Sequence, residues 1–218
     1  MKNTELAGET RGRLLEAAGE VFAERGFHSA TIREICDRAG ANVAAINYHF
    51  GDKETLYAEV FHEWSRLAEQ KYPPTMGLGE HPTTEERLRA FVLSFLHRIT
   101  DSGRPVWHGK LIAREISEPT GMLNRLIDKI HRPLNDLLES IVRELLGDKA
   151  TTDRVRLYSA SVMGQCLHYH FARPVIERIY PEQGFQPRDI EQLATHIARF
   201  SLAAIHAATR PCKEAVKA

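Results

Sequence analysis

The stretch GANVAAINYHFGDKETLY, residues 40–57, decides how the chain reads. Its first half, from Gly40 to Phe50, carries no Lys, Arg, Asp or Glu and has the composition of ordinary core. Asn42 is a good N-cap, and a helix opening there has room for about two turns before Gly51-Asp52 ends it. Asp52 then caps a new start, from which Leu56, Val60, Trp64 and Leu67 step along one face of a long helix that stops before Pro73-Pro74. Upstream, Thr31 to Glu34 (TIRE) forms a capping box and opens a short helix that runs to about Arg38 and ends at Gly40. Before it, Leu14, Leu15, Ala18 and Phe22 fall at i, i+1, i+4 and i+8, one face of a first helix that Gly26 stops.

Three helices in about 40 residues, with the tight turn AGAN between the second and third, make a helix-turn-helix pattern. In that arrangement the second helix crosses the phosphate backbone and the third enters the major groove. Asn47, Tyr48 and His49 can bond base edges or backbone. Ala44 and Ala45 permit close approach, and an alanine methyl can meet a thymine methyl. Val43, Ile46 and Phe50 form the expected packing face. Lys53 adds positive charge to a helix N-terminus that already favours phosphate, and Thr31 with Arg33 acts likewise at the start of the second helix.

Composition sets limits on this reading. The chain has 218 residues, 43% hydrophobic and 27% charged, enough for one large domain or two small ones. Net charge is zero, and acidic residues outnumber Lys and Arg in the first 60, so local placement of charge must do what bulk charge does not. No apolar run reaches the roughly 18 residues of a membrane span. The polar start has no apolar signal region, and Cys36, Cys166 and Cys212 are odd in number and far apart. A reducing cytoplasm is therefore expected.

The segment RLLEAAGEVFAERGFHSATIREICDRAGANVAAINYHFGDKETLY resembles the DNA-binding domain of the TetR family of bacterial transcriptional repressors. The resemblance is carried by FAERGF, ATIREI, AGAN, YHF and DKETL. Members commonly have Ser where Asn42 stands and Tyr where Asn47 stands. Asn42 caps equally well. Asn47 changes the contact made from its position, so the operator does not follow by analogy. The resemblance implies a DNA contact set of Thr31, Arg33, Asn42, Ala44, Ala45, Asn47, Tyr48, His49 and Lys53.

The remainder is helical in period, and the fold class is all-α. A helix-turn-helix domain over 1–55 is joined by a helix over 56–72 to a helical effector-binding and dimerisation domain over 73–218. PPTMGLGEHP, residues 73–82, reads as the junction. Pro133 is expected to kink or break the helix it falls in. Small and large residues mix along the last two helices, at Ser159, Met163, Gly164, Leu167 and Phe171 and at Leu193, Ile197, Phe200 and Ala204. These are the expected dimer contacts, and the resemblance implies a four-helix dimer bundle there. The middle helices then enclose an effector pocket, with Phe91, Phe95, Trp107, Met122, Leu126 and Met163 as lining and His108, Arg114, Glu115 and His168 as polar groups. VWHGKLIAREISEP resembles the CecR subgroup of the family, whose members regulate drug-sensitivity genes.

Enzyme motifs are missing: there is no P-loop, GxGxxG after a strand, GxSxG or HExxH. Cys166 and His170 share a helix face but His168 does not, so neither a metal nor another cofactor is expected. The expected partners are double-stranded DNA, a small-molecule effector and a second copy of the chain, with no membrane. A helical adaptor for a protein partner is the alternative.

Overall fold

A computed structural model of the chain describes residues 2–101, 103, 105–121 and 123–209; the side chains of residues 2–6, 106, 126 and 130 lie outside the description. All regular structure among the described residues is helical. The elements are α1 (Lys2–Ser29), α2 (Ile32–Ala39), α3 (Val43–His49), α4 (Lys53–Lys71), α5 (Thr84–Thr100), α6 (Val106–Ser117), α7 (Leu123–Leu126), α8 (Arg132–Leu146), α9 (Thr152–Phe171), α10 (Arg173–Ile179) and α11 (Pro187–Thr209). A π turn at Ile127–His131 joins α7 to α8, and a 3-10 turn at Gly147–Lys149 follows α8.

Packing divides the chain into two units, and not at the expected boundary. Residues up to 67 group with the described part of 102–132, whereas 68–101 group with the described residues from 133 onward. The segment containing α6, expected in the effector domain, is therefore built into the N-terminal unit.

The first unit is made by short-range chemistry. Gly26, at φ 78° and ψ 166°, breaks α1 with a conformation that a side chain would oppose. Thr31 caps α2 by accepting the Glu34 N–H at 3.2 Å. The return arm of the expected box is replaced, because the Glu34 carboxylate sits 3.4 Å from Arg25. Asn42 caps α3 through the Ala45 N–H (2.9 Å), and Asp52 caps α4 through the Thr55 N–H (2.7 Å). The core gathers Leu14, Ala18, Val21 and Phe22 of α1, Ile35 of α2, Ile46 of α3, Leu56, Tyr57 and Val60 of α4, and Trp107 and Leu111 of α6.

Trp107 and Glu115 carry contacts that bind α6 into this unit. Trp107 lies flat on Gly19, where an added Cβ would stand 2.4 Å from the indole. Its Nε1 donates to Glu16 at 2.8 Å. Tyr57 sits among Phe22, Phe27 and Phe61, with ring centroids 4.8, 5.0 and 5.2 Å away. Its hydroxyl donates to Glu115 Oε2 at 2.7 Å, while Glu115 Oε1 accepts the Thr120 N–H and hydroxyl at 3.0 and 2.9 Å. Glu115 is 2% exposed, so these donors stand in for water around a buried carboxylate. Burial, with the Glu115 hydrogen bond, pushes the Tyr57 phenol well above its usual range.

The second unit packs α5, α8, α9 and α11 around Leu88, Phe91, Leu96, Leu138, Val142, Val155, Val162, Ile190 and Ile197. Thr83 and Glu86 form a complete capping box at the start of α5. Pro133 does not break its helix. The π turn directly before it widens the backbone where the proline ring would strike the preceding turn, and helix continues to Leu146.

Two substitutions check this account by urea unfolding. Gly19→Ala is expected to cost about 1–3 kcal/mol by forcing the indole off α1. Glu115→Ala, which strands the buried Tyr57 hydroxyl, is expected to cost about 1–3 kcal/mol.

Candidate nucleic-acid interface

α3 has seven residues and two sides. Ile46 is 1% and Phe50 6% exposed, and these two side chains seat the helix on the first-unit core. At 100° per residue, positions 43, 44, 47 and 48 fall in one continuous arc and 45, 46, 49 and 50 in the opposite one, with Val43 at the edge, next to Phe50 in phase. The exposures follow this division. Ala45 is partly buried against the core and His49 is intermediate, whereas Val43 (47%), Ala44, Asn47 and Tyr48 (80%) face out. One expectation is corrected by the exposures: Val43, the first residue of α3, lies outward rather than packed, although phase alone sets it beside Phe50. Ala45, expected in the DNA contact set, is partly buried against the core. The outward strip is two adjacent pairs one turn apart, with small residues at the N-terminal end and Asn47 and Tyr48 at the other. The Tyr48 ring rests edge-on against His49, with centroids 4.9 Å apart.

Charge around this strip is sorted by pairing. Arg11 pairs with Glu59 at 2.7 Å, and Arg38 with Glu24 at 2.9 Å and Glu20 at 3.4 Å. The Arg38 guanidinium beside Glu24 holds that carboxyl below its ordinary range. Asp52 is likewise held down by the N–H and hydroxyl of Thr55, so its charge serves the cap. These pairs remove cations as well as acids, so the acidic surplus of the first 60 residues remains, and any attraction for phosphate rests on Arg33, Lys53 and the helix starts.

Arg33 is exposed on α2, and Thr31 and Asn42 are exposed at the two caps. Lys53 is fixed at the start of α4: its Nζ donates to the His28 carbonyl at 3.3 Å and lies 4.8 Å from the Phe27 ring centroid. An ammonium carries three donors, so two remain for a phosphate. The first unit therefore presents two capped helix starts, each with a nearby cation, beside a short helix carrying an outward amide and phenol.

The expected effector lining is divided between the units. Trp107, His108 and Arg114 belong to the first. Trp107 is 6% exposed and packs on Gly19 and Trp64; His108 is buried beside both indoles; Arg114 reaches the Glu24 carbonyl and Glu118, each at 3.4 Å. Phe91 and Phe95 belong to the second unit, buried with parallel rings 6.2 Å apart. Met163 is half-buried against the same core and His168 is exposed. Met122 and the Leu126 side chain lie outside the described residues.

The expected dimer contacts also separate. Ser159 (2% exposed) and Ile197 (1%) are interior, and Met163, Leu167 and Leu193 lean on the second-unit core. Gly164, Phe171, Phe200 and Ala204 are exposed, joined by Leu157 at 68%. Nothing lies within 4 Å of where a Gly164 Cβ would stand, so this part of α9 is uncovered. Cys166 is buried beneath it, and burial pushes its thiol up to about 12. Among the described residues, no group of three His, Cys, Asp or Glu could hold a metal.

Sequence reasoning missed the outward Val43 and the Tyr57–Glu115 bond. Helical phase sets Val43 beside Ile46 and Phe50, so only its place as the first residue of α3 distinguishes it. No local signal joined Tyr57 to a carboxylate 58 residues later.

Residues 14–60 match the family model described as bacterial regulatory proteins of the tetR family, and residues 84–205 match the C-terminal domain of the HTH-type transcriptional dual regulator CecR. The chain is 27% identical to CecR of Shigella flexneri over 182 residues, covering 77% of this chain and 78% of that protein. It is 40% identical over 176 residues to the transcriptional repressor AcnR of Corynebacterium diphtheriae, covering 71% and 91%. Among solved structures, a transcriptional regulator from Pseudomonas aeruginosa PAO1 superposes with a TM-score of 0.65 at 22% identity, covering 92% and 93%. FadR of Bacillus subtilis, solved with stearoyl-CoA, gives 0.62 at 19% identity, covering 89% and 98%.

Two variants separate positioning from reading. Lys53→Ala is expected to weaken binding to all duplexes alike and to lower the salt slope by about one. Asn47→Ala is expected to relax base preference at one or two positions per half-site, by about 1–3 kcal/mol, in selection from randomised duplex.

Proposed function

Because the chain belongs to the TetR family of bacterial transcriptional regulators, with a C-terminal domain of the CecR type, we propose that it is a ligand-responsive repressor. It binds a palindromic operator as a homodimer and is released by a small-molecule effector. The observation that carries this reading is the outward strip of α3. Asn47 and an 80% exposed Tyr48 stand clear of the side on which Ile46, Phe50 and the partly buried Ala45 pack. Asn47 addresses base edges, while Lys53, Arg33 and the two capped helix starts take phosphates.

A single helix-turn-helix reads one half-site, so two copies on an inverted repeat supply the rest of the affinity. The uncovered face of α9 and α11, with Leu157, Phe171 and Phe200 beside Gly164 and Ala204, supports pairing between copies. Large side chains there flank small ones that let helices approach. The repressor reading is supported by the likeness to AcnR, and the ligand by that to FadR.

Release works by population shift. A ligand that prefers the spacing of reading helices unsuited to the operator lowers DNA affinity, and only such a preference can do so. α4 runs in sequence from the recognition helix into the second unit and is the element through which the shift acts. The protein works in the cytoplasm, where its DNA is; among the described residues no helix is long and apolar enough to cross a membrane.

Sedimentation and a DNA shift on the protein's own promoter region test the reading. The wild type is expected to be dimeric and to bind that fragment. Leu157→Glu combined with Phe200→Glu is expected to give folded monomers with affinity lower by about a hundredfold. A monomeric wild type, or failure to shift any duplex while binding a protein partner, points instead to an adaptor.

A further inference from the structure

α5 carries a buried cation with an unused donor. Arg98 is 6% exposed, and its Nη2 is buried with no hydrogen-bond partner. Its Nε donates to the Tyr72 carbonyl at 3.0 Å. Among the described residues no carboxylate forms an ion pair with it. Glu69, the acidic group that influences it, is exposed on α4. Proteins rarely bury a guanidinium in this state, because its desolvation is offset only by a paired anion and filled hydrogen bonds. Burial lowers its proton affinity, but a guanidinium remains charged at any physiological pH. The charge therefore lacks its counter-ion inside the unit.

The surroundings give the missing anion its character. Phe91, Phe95 and Arg98 fall at i, i+4 and i+7 on one face of α5, and the two phenyl rings stand parallel, 6.2 Å apart. The row is apolar until it ends in one positive charge. One buried cation is neutralised by one negative charge, whereas a phosphate dianion would leave an excess in the same low-dielectric place.

Arg98 also holds the end of α4. The Tyr72 carbonyl accepts from Arg98 and from the Ser94 hydroxyl (2.7 Å), the Tyr72 ring stacks on His97 at 4.9 Å, and Lys71 pairs with Asp101 at 2.7 Å. An anion drawn to Arg98 competes with the Tyr72 carbonyl for the guanidinium. It thereby loosens one of the ties between α4 and α5, and α4 begins beside the recognition helix.

We propose that Arg98 is the anion-recognition residue of the effector site, and that the effector is an organic monoanion whose carboxylate pairs with its guanidinium. This rests on the ligand-responsive reading above and narrows its ligand class. A purely structural Arg98, present to hold Tyr72, makes the opposite forecast for an apolar replacement. Arg98→Met removes an uncompensated buried charge while Ser94 still donates to the Tyr72 carbonyl, so the ligand-free variant should melt no lower than the wild type. If Arg98 were only a strut, the variant would melt several degrees lower.

The test uses the full-length protein with a series of carboxylates, hexanoate to dodecanoate with benzoate and phenylacetate, each beside its primary amide. Melting temperature and release from the promoter fragment are read together. Carboxylates of the series are expected to raise the melting temperature and release DNA, and their amides are not. Arg98→Met should lower carboxylate affinity by about tenfold or more, and Arg98→Lys should retain part of it. The proposal is overturned if no carboxylate in the series acts, if acid and amide act equally, if Arg98→Met keeps the response, or if that variant is destabilised without ligand. Amides releasing DNA where the acids do not would overturn the Arg98 assignment while leaving the ligand-responsive reading in place.

Discussion

A seven-residue helix has no stability of its own in water, and α3 exists because Ile46 and Phe50 are buried. That constraint fixes the interface. With two anchors one turn apart the phase of the helix is set: Ala44 and Tyr48 point away from the core, while Asn47 and the first-turn Val43 flank the packed side and stay exposed. The caps at Asn42 and Asp52 fix its length from both sides. An exposed side and a packed side thus share one short element, and an uncharged stretch presents a surface without any charge of its own.

The core that receives those anchors is completed from far along the chain. Trp107 closes over Gly19, and Glu115 takes the Tyr57 hydroxyl at the centre of an aromatic cluster. Tyr57 lies on α4, one turn beyond the Lys53 that reaches back to His28. A disturbance of α6 therefore reaches α4 through a buried, charge-assisted hydrogen bond, where small displacements are costly. At its other end α4 is tied to α5 through Tyr72. One helix so carries a tie to α6 towards one end and a tie to α5 at the other.

Much of this was legible in the sequence because capping chemistry is local. Thr31, Asn42, Asp52 and Thr83 each accept from a backbone N–H three residues on, and each marks a real helix start. The TetR resemblance and the CecR-type second half were legible as residue patterns. Two kinds of feature were not. Val43 reads as core by composition and by phase, yet at the first position of α3 it is exposed. The allegiance of α6 rests on Trp107 fitting a glycine and Glu115 fitting a tyrosine, both distant in sequence, and no periodicity reports such matches. The same applies to the unpaired Arg98, which reads on the sequence as one more charge on an amphipathic helix.

The central claim is that one side of α3 meets DNA and the other side holds the protein together. Single cysteines placed at each position from 43 to 50, in a background with Cys36, Cys166 and Cys212 replaced, test it through thiol alkylation rates with and without the promoter duplex. Positions 43, 44, 47 and 48 are expected to react quickly alone and to be protected by DNA, while 46 and 50 stay unreactive in both conditions. Protection that spares 47 and 48, or that falls evenly on both sides of the helix, would contradict the account.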